Sequence, residues 1–259
     1  MNVLENTVYG RFKSLPWFNP ITKSRIIIFG QGGIGSWLTL FLARAGASII
    51  IVDMDKVERV NIAGQVYGET EVGKSKVQAM KDVVNKLCGE SKITAVNIKV
   101  DPDEESWKTY LSISDVVCTS FDSIAARKMV YEEWIKIGKS TSLFVDGRMG
   151  VENGQVFTLE RVGKELSKTN KDHYEDSFFD DNSIEEAPCT AKATSHCGAL
   201  IASLMTAQIT NWFNNLQSGV MPRTLSSQLD FYLPVMLFEN KVVVPEPKKE
   251  EDVEETTMV

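Results

Sequence analysis

The residues in this chain best suited to chemistry gather around one glycine turn. Positions 25–37 read RIIIFGQGGIGSW, an apolar run that meets Gly30, Gly32, Gly33 and Gly35 and then Ser36. Glycines at such a turn allow positive φ and close backbone approach. A helix that opens on the turn aims free N–H groups at a phosphate. Asp53 follows 18 residues past Gly35, where a carboxylate at the end of the next strand can hydrogen-bond ribose hydroxyls. The pattern points to a bound nucleotide. The turn alone does not separate a nicotinamide dinucleotide from ATP, and a purely structural turn is the third reading. A second candidate is Cys189, in EEAPCT, just ahead of an apolar run. A thiol before a helix start ionises more readily, whereas Glu185 and Glu186 beside it oppose a thiolate. The alternative is an ordinary loop cysteine. Cys118 and Cys197 lie in apolar runs and read as core. His196 reads as a packed helix residue.

The elements that must position these residues follow from periodicity. Positions 25–29, 48–53, 114–120 and 142–147 are short apolar runs of the kind buried parallel strands use. The run 93–100 alternates and is also strand-like. Helices are predicted over 36–47, 74–88 and 123–138. In the second, Val77, Met80, Val83, Val84 and Leu87 share one face. Strands alternating with helices predict an α/β fold, a doubly wound Rossmann-like, mostly parallel sheet. Past residue 150 the pattern changes. A strand over 154–162 and late strands in SQLDFYLPVMLF and KVVV extend the sheet on an antiparallel side. The run 190–213 reads as an apolar helix, suited to the core or a subunit interface. The predicted organisation is an N-terminal arm (1–24), one nucleotide-binding domain (25–244) with a mobile crossover loop (167–188), and a disordered acidic tail (245–259).

Composition excludes several classes. Of 259 residues, 43% are hydrophobic, enough for a substantial core. Lys plus Arg number 28 against 35 acidic residues, a net charge of −7, which argues against gripping nucleic acid. The four cysteines form no CxxC pair and there are two histidines, so a zinc ribbon or His-rich site is not expected. The first residues carry no apolar core of signal-peptide length, and 197–207 is too short to span a bilayer. A cytoplasmic, membrane-free protein is the expectation.

Downstream of Asp53 the sequence becomes specific. After GxGGxGS at Gly30–Ser36 come Asp53, Asp55, Val57, Asn61 and Gln65, then Val72, Gly73 and Lys76, then FDSIAAR at 121–127. These four ordered blocks resemble the ThiF/MoeB/HesA family of adenylating enzymes, which includes ubiquitin-activating-type proteins. The resemblance covers roughly residues 8 to 215 and is weaker after 150. It implies ATP-dependent activation of a carboxylate, usually the C-terminal glycine of a ubiquitin-like or sulfur-carrier protein, by a homodimer. It implies that Asp53 holds the ribose, Lys76 the α- and β-phosphates, and Asp122 a Mg²⁺ ion. Asn61 would hold a phosphate oxygen or position its loop. From residues alone, Lys76 beside Lys74 also reads as solvated surface, Asp122 as a helix cap, and Asp55 as a cap or turn residue. One departure stands out: Gly64 occupies the place of an expected arginine in NLxRQ. Arg11, in YGRF, resembles a family arginine that reaches across the dimer. Arg148 and Arg59 are the other candidate replacements. The resemblance also makes Cys189 a candidate thioester cysteine. Two competing readings remain: an NAD-dependent oxidoreductase, which leaves Lys76 and Asp122 unused, and a nucleotide-binding scaffold, which the glycine at position 64 favours.

Overall fold

The computed structural model describes residues 8–89, 91–163, 165–166, 168–179 and 194–242, and the side chains of 168 and 169 fall outside it. Cys189 and the acidic tail lie outside the described residues.

Nine strands form one sheet in the order β3-β2-β1-β4-β5-β6-β8-β9, with β7 (Glu165–Leu166) beside β6. The five strands β1 (Arg25–Phe29), β2 (Ser48–Val52), β3 (Ile93–Val96), β4 (Val116–Thr119) and β5 (Ser142–Met149) run parallel. Strands β6 (Asn153–Val162), β8 (Gln228–Tyr232) and β9 (Leu237–Lys241) extend them antiparallel. The doubly wound α/β sheet with an antiparallel extension is therefore what forms. β1 is central because four of its five residues are fully enclosed. Its alternate side chains feed two cores. Ile26 and Ile28 pack with α2 (Gly35–Arg44), α3 (Lys76–Cys88) and α7 (Ser195–Asn215). Ile27 and Phe29 pack with α4 (Ser106–Ser112), α5 (Ile124–Ile137) and Tyr174 of α6 (Lys168–Glu175).

The structure revises several expectations. Segment 167–188, expected as a mobile loop, opens with helix α6 over Lys168–Glu175. Its polar composition hides one anchor: Tyr174 is buried among Tyr131, Phe144, Phe157 and Phe178. Tertiary packing overrides weak local preference here. The arm contains helix α1 (Phe18–Lys23), and Tyr9, Phe12, Trp17 and Phe18 form an aromatic cluster. The strand expected over 93–100 stops at Val96, and the helix expected over 190–213 runs from Ser195 to Asn215. β9 is exposed along its whole length and forms one edge of the sheet. Among the described residues no helix is long and apolar enough to cross a membrane.

Candidate nucleotide site

β1 lies between β2 and β4, and the chain leaves it in both directions. In an open α/β sheet this switch in strand order makes a crevice at the carboxyl ends of the strands, where ligands bind. The glycine turn sits there, between β1 and α2. Gly30 has φ +90°, and a side chain would meet the Ser120 carbonyl at 3.0 Å. A Cβ on Gly35 would fall 1.9 Å from the Gly30 carbonyl oxygen, so helix and strand can approach only with glycine there. Gly32 differs, because its missing side chain opens onto empty space. Neither φ nor packing requires glycine at 32, which leaves close ligand approach as its use. The Ser36 hydroxyl donates to the Gly32 carbonyl (2.7 Å) and accepts from the Val66 amide (3.3 Å). At Gly198, α7 packs against the Gly33 carbonyl with room for no side chain. Among the described residues the N–H groups of Gly32, Gly33 and Ile34 have no acceptor, as the start of a phosphate-binding helix should. A Gly32→Ala chain is therefore expected to keep its melting temperature while its affinity for ATP falls about tenfold, roughly 1.4 kcal/mol. Titration calorimetry beside a thermal melt checks this.

Asp53 closes the next side. Its carboxylate accepts from the amides of Gln31 (2.6 Å) and Asp55 (2.7 Å), which aims it back at the turn. Burial raises its pKa, opposed by the nearby Lys76 and these two amide donors. Gln31 was not anticipated. Its buried amide accepts from Thr39 and donates to the Gly30 carbonyl, bracing the turn. Tyr67 is a further brace, donating its hydroxyl to the Gln31 carbonyl at 2.9 Å.

Lys76 is not loose surface. Only 8% of it is exposed, and its ammonium pairs with Asp55 at 2.8 Å. Its own amide also donates to the Asp55 carbonyl, so Asp55 holds the first turn of α3 at both ends of one residue. The Asn61 side chain accepts from the Glu58 amide in a one-turn 3-10 helix, Arg59–Asn61. That is a loop-shaping role. Among the described residues the buried carboxamide oxygen of Gln65 has no donor, an acceptor left for a ligand or water to satisfy. Trp37 donates to the Gly64 carbonyl at 3.3 Å.

Across the crevice, Ser120 at the end of β4 donates to the carbonyls of Phe29 and Gly30, both at 3.0 Å. This ties β4 to the glycine turn. Asp122 follows two residues later and is exposed. It does not cap α5: the cap is Ser123, whose hydroxyl accepts from the Ala126 amide. The Asp122 carboxylate is thus available beside the turn. Among the described residues no three acids, histidines or cysteines gather to cage a metal. A single carboxylate suits Mg²⁺, which is bound through one or two protein ligands plus substrate phosphates and water.

A family model for the ThiF family matches residues 14–252. The chain belongs to the ThiF family. It is 30% identical over 125 residues to the NEDD8-activating enzyme E1 catalytic subunit of Caenorhabditis elegans, covering 45% of this chain and 28% of that one. It is 29% identical over 156 residues to the adenylyltransferase and sulfurtransferase MOCS3-1 of Zea mays, covering 55% of this chain and 32% of that one. A probable adenylyltransferase/sulfurtransferase MoeZ of Mycobacterium tuberculosis is 29% identical over 123 residues, 46% of this chain and 30% of the relative. The chain thus spans about a third of the length of these curated relatives. Among solved structures, MccB of E. coli with succinimide superposes with a TM-score of 0.71 at 19% identity, over 93% of this chain and 72% of that one. MccB with ATP gives 0.66 at 17% identity, over 87% and 65%. Likeness at that identity speaks for the fold.

In this ThiF-family chain the candidate arginines do not converge on the turn. Arg148 is enclosed (8% exposed), with its guanidinium spent on Asp146 (2.8 Å) and on the Ser177 carbonyl and hydroxyl (2.9 Å each). It also lies over the Phe157 ring at 4.4 Å. Three of its five donors are used in these bonds, one on each nitrogen, and its enclosure keeps the group in this inward-facing arrangement. Arg59 is exposed and pairs with Glu69 at 3.0 Å. Arg11 is exposed on the arm, two residues past Tyr9. Tyr9 packs beside Gly46, past the far end of α2. Ten helical residues separate that end from the turn, about 15 Å. Cys197 is buried and bonds the Asn153 carbonyl at 3.4 Å, and burial pushes its thiol up to about 11. It is core, as its apolar setting implied; the same desolvation raises the fully buried Cys118.

Proposed function

We propose that this chain adenylates a carboxylate with ATP and releases pyrophosphate. One observation carries the reading: Lys76 and Asp122 flank the glycine turn from opposite sides of the same crevice, the first beside Asp53, the second past the Ser120 tie. Hydride transfer has no use for either. In the reaction a carboxylate oxygen attacks the α-phosphorus, and the bond from that phosphorus to the pyrophosphate oxygen breaks. Little covalent chemistry falls to the protein, so placement and charge must carry the rate. Asp53 and the free amides of 32–34 fix ribose and phosphates. Lys76 gives up part of its pairing with the half-exposed Asp55 to meet the α- and β-phosphates. Asp122 would hold Mg²⁺, whose charge offsets that of the departing pyrophosphate. Asp55, Asn61, Ser36 and Gln65 shape the cradle.

The acceptor carboxylate fits the C-terminal glycine of a ubiquitin-like or sulfur-carrier protein. The named activities of the adenylyltransferase relatives support this class. Arg11 would act across a homodimer, since its own arm docks at the far end of α2. Such an enzyme would work in the cytoplasm and need neither nucleic acid nor membrane. The Cys189 thiolate would then attack the acyl carbon of the adenylate, forming a thioester as the bond to the phosphate oxygen breaks and AMP leaves.

The test is ATP–pyrophosphate exchange against small carrier proteins ending in glycine. Lys76→Ala is expected to lower the exchange rate about 100-fold, the cost of one lost donor to developing charge. Exchange that survives in Lys76→Ala would remove this lysine from the mechanism. A second reading, a nucleotide-binding subunit that needs an active partner, is favoured by glycine at position 64 and the locked Arg148. Clean ATP binding with no exchange for any carrier would select it.

A further inference from the structure

Asp146 sits at a junction that the adenylation reading leaves unused. It is fully buried on β5. Its Oδ1 accepts from Arg127 and from the Thr119 hydroxyl at 2.5 Å. Its Oδ2 accepts from Arg148 Nε at 2.8 Å and the Tyr174 hydroxyl at 3.1 Å. Arg127 is held at several points: it also donates to the carbonyls of Gly147 (2.8 Å) and Phe121. One guanidinium therefore bridges the loop after β4 to the middle of β5. Phe121 is the residue immediately before Asp122. Asp122 itself has no hydrogen bond or ion pair among the described residues. Tethers on either side of it include Ser120 to the glycine turn, Ser123 to α5, and Phe121 to Arg127. On the other side of the junction, Arg148 reaches Ser177, just past α6.

We propose that Asp146, acting through Arg127, is the positioning residue for Asp122. Through Arg148 and Tyr174 the same carboxylate fixes the end of α6, so the metal-holding loop and α6 share one anchor. The planar guanidinium is suited to this, because its fork fixes direction as well as distance. The catalytic consequence rests on the adenylation reading; the structural one does not. Partners that orient a metal ligand are typically worth 10- to 100-fold in metal affinity.

Two measurements test it on the full chain, with Arg127→Lys and Asp146→Asn as variants. The first is amide hydrogen exchange without nucleotide. In both variants the acceleration of amides 120–126 over wild type is expected to exceed that of β1 and β2 at least tenfold. Unchanged loop exchange, or one factor of acceleration throughout the molecule, would overturn the positioning role. The second is Mn²⁺ binding followed by electron paramagnetic resonance with ATP present. Half-saturation is expected to rise 10- to 100-fold, while metal-free ATP binding stays as it was. Equal Mn²⁺ affinity in wild type and both variants would also overturn it. A wild-type chain that binds no Mn²⁺ with ATP sinks the adenylation reading, and loop exchange then decides the positioning role by itself. Tyr174→Phe, which cuts only the α6 side, is expected to leave exchange of 120–126 at the wild-type rate.

Discussion

An Asp122→Ala chain is expected to show no measurable ATP–pyrophosphate exchange and an unchanged melting temperature. The two halves have separate grounds. Asp122 is exposed and caps nothing, because Ser123 fills the cap of α5. Surface substitutions away from caps and networks usually stay within about 0.5 kcal/mol. The loss of rate comes from charge. In the proposed reaction pyrophosphate leaves with several negative charges, and Asp122, which has no hydrogen bond or ion pair among the described residues, would place the metal that offsets them. A single preorganised electrostatic contact is worth about 10²- to 10³-fold, and losing metal placement removes more than one such contact. Radiolabelled pyrophosphate exchange beside a thermal melt measures both. Residual exchange within tenfold of wild type would take Asp122 out of the metal site.

An Asp146→Ala chain is expected to lose about 3–5 kcal/mol of stability, because it leaves two buried guanidinium groups without their carboxylate. For a domain of this size that is a fall of roughly 10 °C or more in melting temperature. The same carboxylate makes an acid-sensitive contribution. Burial alone would raise its pKa, but Arg127 and Arg148 outweigh that and hold it below the usual carboxylate value. The native state therefore binds its proton less readily than the unfolded chain does. The stabilisation is fully present above the unfolded value, about 3.9, and is lost as pH falls through the lower native value. Urea melts at pH 7, 4 and 3 should show the wild-type advantage over Asp146→Ala shrinking toward the acid end. A gap that stays constant with pH would mean that the charge contributes nothing. Replacing all three charges with apolar residues, as in Asp146→Leu with Arg127→Leu and Arg148→Met, is expected to recover most of the loss.

The sequence made the near side of the site legible and the far side opaque. The glycines and Asp53 lie on one βαβ unit, so spacing placed them, whereas Asp55 and Lys76 came forward only through the family resemblance. Asp122 likewise came from the resemblance carried by FDSIAAR, and the structure sets it just past β4, the neighbour of β1. Arg148 was read as a free cation. Its position two residues past Asp146 puts both on one face of β5, and that was the available signal of their pairing. Arg127, Asp146 and Tyr174 are joined only when α5, β5 and α6 meet. No local period reports such a meeting. Helix α6 was hidden for the same reason, since one buried tyrosine anchors an otherwise polar turn of chain. The packing glycines show the reverse limit: Gly32 and Gly35 look alike in the motif, yet only Gly35 is demanded by sterics.

The last strand has a consequence for how copies of this chain meet at high concentration. β9 carries Leu237 and Phe238, each about half exposed, on a strand that is an edge of the sheet among the described residues. An unpaired edge with apolar side chains is a template for sheet-to-sheet stacking. Its centre, however, is Glu239, with Lys241 two residues on. Two such edges meeting in the symmetric antiparallel register would set Glu239 directly against Glu239, and like charges opposite each other repel. The last described strand thus carries at its midpoint the charge that discourages self-pairing.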